Sequence, residues 1–229
     1  MLYVTTLLAW AALAEAYADL FVWGYCCDQS LLDKSKQHSN KAITIDPACQ
    51  HAHWSRALAY HLSFKPQDLA ISQSAIDTLF AINPNAAGFV SGGGLLLSLQ
   101  GQWQAGLGLI QQFYNRSFKA PRWINLARYL FSYMDGNLQQ LLIESETRKT
   151  EMYPWDTIIT ALCHWNLEQH EESCATFRAL VTQDSRFGDM PEFSRNYVSA
   201  FVKDSEVCQL ITDDIATIVA HCGSELQTR

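Results

Sequence analysis

The chain has 229 residues, of which 48% are hydrophobic and 17% are charged, and its formal net charge is −7 at pH 7. A chain of this length and apolar content can bury a substantial core, which excludes an intrinsically disordered protein. Because no run of Lys or Arg offsets the negative charge, few groups can neutralise phosphates. We therefore expect no direct binding to nucleic acid.

The seven cysteines are irregularly spaced, and their odd number does not indicate a disulfide framework. We predict that they are reduced, mostly buried side chains and that the protein is cytoplasmic. The first fourteen residues carry no charged side chain. A secretion signal has Lys or Arg ahead of its apolar segment, and this stretch has neither, while Glu15 and Asp19 follow closely. This pattern favours neither a secretion signal nor a membrane span. It indicates instead a chain that begins inside a helix without a capping residue, as a piece of a longer protein would.

Apolar residues recur with a helical period along the chain, and no alternating strand pattern competes with it. All six prolines lie at the ends of these periodic segments, where the cost of about 3 kcal/mol for proline in a helix interior is avoided. We predict twelve helices in six pairs: 2–23 with 30–45, 50–63 with 67–82, 86–100 with 102–115, 120–134 with 136–150, 155–167 with 170–183, and 191–203 with 205–221.

A small residue followed three places later by a larger one recurs once in each of the first five pairs. The five examples are Ala14 with Tyr17, Ala57 with Tyr60, Gly94 with Leu97, Ala127 with Leu130, and Ala161 with His164. The steps between them are 43, 37, 33 and 34 residues. A period in this range is typical of stacked helix pairs, in which each pair buries its apolar face against its neighbours.

The first repeat contains Trp10, Leu13, Ala14 and Tyr17 on its first helix, and two second helices end in parallel as Ala42–Pro47 (AITIDP) and Leu79–Pro84 (LFAINP). In these motifs the chain resembles a tetratricopeptide repeat array. The resemblance implies an all-α, right-handed superhelix of about five helix pairs over residues 1–185. Residues 186–229 would then form the capping helices of the same domain.

The resemblance also implies a concave face lined by the first helix of each pair. Trp and Arg are over-represented among residues that dominate binding energy at protein interfaces. We predict partner-binding residues on this face, namely Trp54, His61, Arg128, Phe131 and Trp165. The alternative interpretation is that the tryptophans pack against neighbouring helices.

The predicted function is a non-enzymatic module that binds a peptide or a partner domain. A weaker resemblance to C-terminal repeat regions of bacterial signalling and transcriptional regulator proteins implies the regulatory part of a larger protein. The alternative is a small-molecule sensor whose groove opens at the third repeat. Seven of the eleven glycines lie between Gly88 and Gly108. They indicate either a flexible hinge or close helix packing, which we favour.

No set of residues indicates catalysis, a cofactor or a metal. Cys49, His51 and His53 have ligand-type side chains, but a tetrahedral zinc site needs a second ligand pair, and none is evident. We interpret His164 and Cys174 as packing residues of the fifth pair. The sequence does not indicate an oligomeric state.

Overall fold

A computed structural model describes residues 2–116, 121–189 and 191–226, and within these ranges the chain is helical, with no β-strand. The described ranges contain a 3₁₀ turn at Arg122–Ile124 and thirteen α-helices. In chain order these are α1 (Leu2–Trp23), α2 (Gln29–Ile45), α3 (Gln50–His61), α4 (Asp68–Ile82), α5 (Ala87–Leu99), α6 (Trp103–Arg116), α7 (Asn125–Met134), α8 (Leu138–Thr147), α9 (Tyr153–Asn166), α10 (His170–Gln183), α11 (Arg186–Asp189), α12 (Pro191–Phe201) and α13 (Ser205–Leu226).

All twelve predicted helices are present, with bounds that differ by five residues at most. The two additional elements, α11 and the 3₁₀ turn, have four and three residues. Neither completes enough turns to produce a periodic apolar pattern. No helix in the described ranges combines the length and the hydropathy needed to cross a membrane.

The helices divide into two compact units, Met1–Ala120 and Pro121–Arg229. In the first unit α1 packs on α2 and α3, α3 packs on α4 and α5, and α5 packs on α6. Each helix therefore pairs with the next one in the chain, and each pair contacts the following pair. This arrangement confirms an all-α fold of sequential helix pairs.

The second unit also begins with sequential contacts, because α7 packs on α8 and α9, and α9 packs on α10. Its last long helix then returns along the chain, since α13 packs on α9 and α10 as well as on α12. The boundary predicted at residues 185 and 186 lies within this unit.

The five small residues predicted at helix crossings are all buried. At three crossings a serine of the second helix donates a hydrogen bond to the carbonyl oxygen of the small residue. These bonds join Ser35 Oγ to Ala14 (2.6 Å), Ser72 Oγ to Ala57 (2.9 Å), and Ser173 Oγ to Ala161 (2.8 Å). A hydroxyl reaches the opposite backbone because neither helix has a large side chain at that point.

The glycine-rich third pair is closely packed, as we predicted. A Cβ atom added at Gly93 would lie 2.7 Å from the ring of Phe80, and one added at Gly94 would lie 2.8 Å from the carbonyl oxygen of Gly106. Real Cβ atoms do not approach other atoms this closely. At Gly94 the obstacle is backbone, so glycine is required there, whereas at Gly93 a larger residue would have to displace the Phe80 ring. The geometry supports close packing rather than a hinge.

The fourth pair departs from this pattern. Ala127 is buried, but the second helix, α8, is held by a tyrosine rather than by a serine. Tyr129 donates its hydroxyl to the carbonyl oxygens of Glu144 (3.1 Å) and Arg148 (2.5 Å) at the C-terminal end of α8. A large side chain therefore lies between α7 and α8.

The prediction that all the cysteines are reduced is wrong for two of them. Cys174 and Cys222 form a disulfide between α10 and α13, with their Cα atoms 5.6 Å apart. The two residues are 48 positions apart in sequence and meet only because α13 packs back on α10. Cys26, Cys27, Cys49, Cys163 and Cys208 are not disulfide-bonded.

Candidate functional site

Two of the predicted partner-binding residues, Trp54 and His61, lie on α3 in the first unit and are 7% and 0% exposed. Trp54 Nε1 donates a hydrogen bond to Glu15 Oε1 at 2.7 Å. His61 Nδ1 accepts one from Gln100 Nε2 at 3.2 Å. The side chains of both residues are therefore used in packing α3 against its neighbours, which matches the alternative interpretation of the tryptophans.

Glu15 on α1 forms the centre of a polar site between α1 and α3. Its Oε2 atom accepts from His51 Nε2 at 2.6 Å, while its Oε1 atom accepts from Trp54. Burial raises the pKa of Glu15, but the hydrogen bonds from His51 and Trp54 outweigh it and leave the pKa below its ordinary value. Glu15 is therefore a fixed carboxylate, held in one position by two donors from the neighbouring first helix.

Asp19 lies one turn beyond Glu15 on α1 and is exposed. The surrounding protein nevertheless removes part of the hydration of its carboxyl group. This burial, followed by the negative charge of Glu15, raises the pKa of Asp19 to about 6. Among the described residues no cation forms an ion pair with it. The site thus presents two neighbouring carboxylates, of which one has protein partners.

The other three predicted residues lie in the second unit. Arg128 on α7 is half-buried, and its Nη2 atom lies 3.5 Å from Glu144 Oε2 on α8. Phe131, one turn along the same helix, is 36% exposed. Trp165, near the end of α9, is half-buried with its ring centroid 4.3 Å from that of His170. Phe131 and Trp165 retain accessible aromatic surface.

A polar network in the second unit was not predicted from the sequence. The hydroxyl of Tyr133 on α7 donates to the carboxylate of Asp214 on α13. Asn166 on α9 donates to both groups, at 3.0 Å and 3.1 Å. Burial and the neighbouring Asp214 carboxylate raise the pKa of Tyr133. The network joins three helices, and the separation of 81 positions between Tyr133 and Asp214 leaves no local signal that could have identified it.

A surface groove of about 590 Å³ lies in the second unit between α8, α9 and α10. Its lining includes five residues with hydroxyl groups, Ser145, Tyr153, Thr157, Thr160 and Thr176, but most of the surface that it exposes is apolar. The hydroxyls of Ser145, Thr157 and Thr160 donate to backbone carbonyl oxygens of their own helices. Asp156, in its wall, accepts hydrogen bonds from the backbone and the side chain of Thr150, both at 2.7 Å. Burial raises the pKa of Asp156 in spite of these bonds. The groove is large enough to accommodate a small molecule.

The residues considered for metal binding or nucleophilic chemistry have structural partners. His51 contacts Glu15, and His53 Nε2 lies 2.9 Å from the carbonyl oxygen of Pro47. Burial raises the pKa of the Cys163 thiol to about 12, so it remains protonated at neutral pH. Within residues 2–116, 121–189 and 191–226, no three ligand-type side chains are grouped as a metal would require.

Compared with protein-family models, with curated proteins and with solved structures, the chain gives no match. The resemblance to tetratricopeptide repeats consequently stays a prediction from the sequence. The sequential helix pairs and the neighbouring carboxylates of Glu15 and Asp19 on α1 are the features that bear on function.

Proposed function

We propose that the protein is a non-enzymatic interaction module, a tetratricopeptide-like array whose first helices bind a basic peptide or a basic surface of a partner domain. The observation that carries this proposal is the Asp19 carboxylate, which stands beside the fixed carboxylate of Glu15 without a cationic partner among the described residues. A Lys or Arg side chain placed there would relieve the repulsion between the two groups.

The Glu15 site supports this proposal through its rigidity. Because His51 and Trp54 hold Glu15 in place, a bound cation orders few additional side chains, and less conformational entropy is lost on binding. In this proposal Trp54 is a positioning residue. The net charge of −7 would also accelerate the approach of a basic partner at low ionic strength.

The predicted contacts of the second unit remain part of the proposal. Phe131 and Trp165 offer aromatic surface, which is the kind of residue that contributes most to interface energies. Arg128 would bind an acidic group of the partner or of the peptide terminus, in competition with Glu144. Replacement of Phe131 and Trp165 by Ala, one at a time, measures their contribution.

The proposal is tested by titrating the chain with a fluorescent Lys- and Arg-rich peptide, with an uncharged peptide of equal length as the reference. We expect Asp19→Asn to weaken binding of the basic peptide by about tenfold. Asp33→Asn on the exposed surface of α2 changes the net charge equally and should leave the affinity unchanged. Equal effects of the two variants, or equal affinity for the two peptides, would contradict the proposed site.

The sensor alternative is supported by the groove between α8, α9 and α10. Its mostly apolar lining with a few polar groups is the kind of surface on which small-molecule sites are built. Thermal-shift screening with polar metabolites tests this alternative. A stabilising compound should lose its effect in Thr157→Val, whereas Thr182→Val on the exposed surface of α10 should retain it.

We also propose that the module is the regulatory part of a larger bacterial signalling or transcriptional regulator and that it is located in the cytoplasm. The weaker sequence resemblance supports the first statement, and the five free cysteines support the second. Alkylation of thiols in cells that are denatured in acid at once tests the location, because Cys174 and Cys222 are buried in the fold. Labelling of the two cysteines indicates a reducing compartment, and protection of both would contradict it.

A further inference from the structure

Helix α1 carries a continuous apolar face on the surface of the first unit. Its members are all exposed and uncharged: Leu8, Ala9, Ala12, Leu13, Ala16, Leu20 and Trp23. Leu20 and Trp23 are 53% and 63% exposed. At 3.6 residues per turn these positions share one side of the helix, with Asp19 at its edge. We call this set the α1 face.

The α1 face is unusual within the first unit, because the later first helices are covered. Helix α3 is contacted by α1 and α2 on one side and by α4 and α5 on the other. No described residue covers the α1 face in the same way. Its exposed side chains offer on the order of 500 Å² of apolar surface, which is near the upper limit for a monomeric protein.

We propose that the α1 face binds the same face of a second copy of this chain, with the two helices antiparallel and Ala16 on the two-fold axis. In this register Trp23 of one chain lies opposite Ala9 of the other, and Leu20 lies opposite Ala12. A large side chain therefore meets a small one at each of these positions. The alanines at 9, 12 and 16 also let the two helices approach closely.

The chemistry of α1 favours a second copy over other occupants. Two such faces would together bury about 1,000 Å², which reaches the lower limit for a specific interface and suits a dimer with a micromolar dissociation constant. A membrane surface would call for Lys or Arg beside the apolar face, and α1 contains neither. The contact leaves Glu15 outside the interface but brings Asp19 to its edge, so dimerisation and the proposed binding of basic peptides share part of α1. Sedimentation without added peptide tests the dimer independently of that proposal.

Sedimentation velocity over a range of concentrations tests the dimer. The unmodified chain should change from monomer to dimer between about 1 and 100 μM. Ala16→Glu places two like charges on the axis and should weaken the dimer by at least about a hundredfold. Ala70→Glu on the exposed surface of α4 is the matched control and should dimerise normally. Circular dichroism verifies that both variants remain helical.

Cysteine cross-linking tests the register. The exposed Cys27 is first replaced by Ser, so that it does not form cross-links of its own. Ala16→Cys should then cross-link with itself, whereas Ala9→Cys should cross-link only when mixed with Trp23→Cys. The inference is overturned if the chain stays monomeric to about 0.5 mM, if Ala16→Glu still dimerises, or if the dimer gives no cross-link through Ala16→Cys. Binding of the monomer to lipid vesicles through this face would also overturn it.

Discussion

Gly94 and Gly106 touch backbone to backbone where α5 crosses α6. A Cβ atom added at Gly106 would lie 2.3 Å from the carbonyl oxygen of Gly94, and one added at Gly94 would lie 2.8 Å from that of Gly106. Each glycine in a helix costs up to about 1 kcal/mol relative to alanine. The close contact explains why the chain has glycine at both positions in spite of this cost.

Replacing Gly106 by Ala should destabilise the first unit by about 3 kcal/mol, because the added methyl group meets backbone atoms that cannot move without separating the two helices. Gly108 lies in the same helix, and a Cβ atom added there meets nothing within 4 Å. Gly108→Ala should therefore stabilise the unit by about 0.5 to 1 kcal/mol. Urea denaturation measures both changes, and the same sign for the two variants would refute this account of the crossing.

Lys36→Met should destabilise the first unit by about 3 kcal/mol, because it leaves the nearly buried carboxylate of Asp68 without its partner. The two groups are 2.6 Å apart, between α2 and α4. Burial raises the pKa of Asp68, but Lys36 and Ser63 outweigh it and lower the pKa below its ordinary value. This stabilisation is present above the unfolded pKa and is lost as the pH falls through the folded pKa.

The effect of Lys36→Met should consequently be large at pH 7 and smaller at acid pH, as Asp68 becomes protonated. Denaturant titrations at neutral and at acid pH provide the comparison. The double variant Lys36→Met with Asp68→Leu removes both charges and should recover most of the lost stability. A double variant no more stable than Lys36→Met alone would show that packing of the Lys36 side chain, not its charge, is responsible.

Reduction of the Cys174–Cys222 disulfide should destabilise the second unit by up to about 4 kcal/mol, as expected for the release of a closed loop of this length. Urea denaturation with and without dithiothreitol measures the change. Cys174→Ser with Cys222→Ser should show the same loss and no further response to dithiothreitol. If a reductant destabilises the double variant as much as the unmodified chain, the effect does not come from this disulfide.

Asp19→Asn should raise the thermal stability of the chain at pH 7. The folded pKa of Asp19 is about 6, above its ordinary value of 3.8, so the charged form is less favourable in the folded protein. The unmodified chain should lose stability from this group as the pH rises from about 4 to about 6. The difference in melting temperature between Asp19→Asn and the unmodified chain should largely disappear by about pH 3, where the carboxyl group is mostly protonated in both the folded and the unfolded state.

The positions of the helices and of their closest contacts could be predicted because both depend on local sequence. Proline excludes a helix interior wherever it occurs, so Pro47 and Pro84 indicate helix ends without knowledge of the fold. Small residues such as Ala57 and Ala161 recur at the repeat period because a crossing accepts nothing larger. The serines that complete these crossings were not predicted, although Ser72 and Ser173 lie 15 and 12 residues after their partners.

The surface properties of the site could not be predicted because they depend on contacts between distant segments. The projection onto first helices placed Trp54 and His61 on an open face, but it did not include the side chains of Glu15 and Gln100 that contact them. The Cys174–Cys222 disulfide could not be predicted for the same reason, since a spacing of 48 residues does not indicate that α13 returns to α10. Such contacts require the three-dimensional path of the chain.

The burial of α5 has a consequence for hydrogen exchange. Ten consecutive residues of this helix, from Val90 to Leu99, are buried, so the middle of the helix has no solvent-facing side. Its amide groups can meet deuterated water only when the surrounding helices α3, α4 and α6 separate. These amides should therefore be the slowest to exchange in the first unit, and their protection factors should report the free energy of its global unfolding.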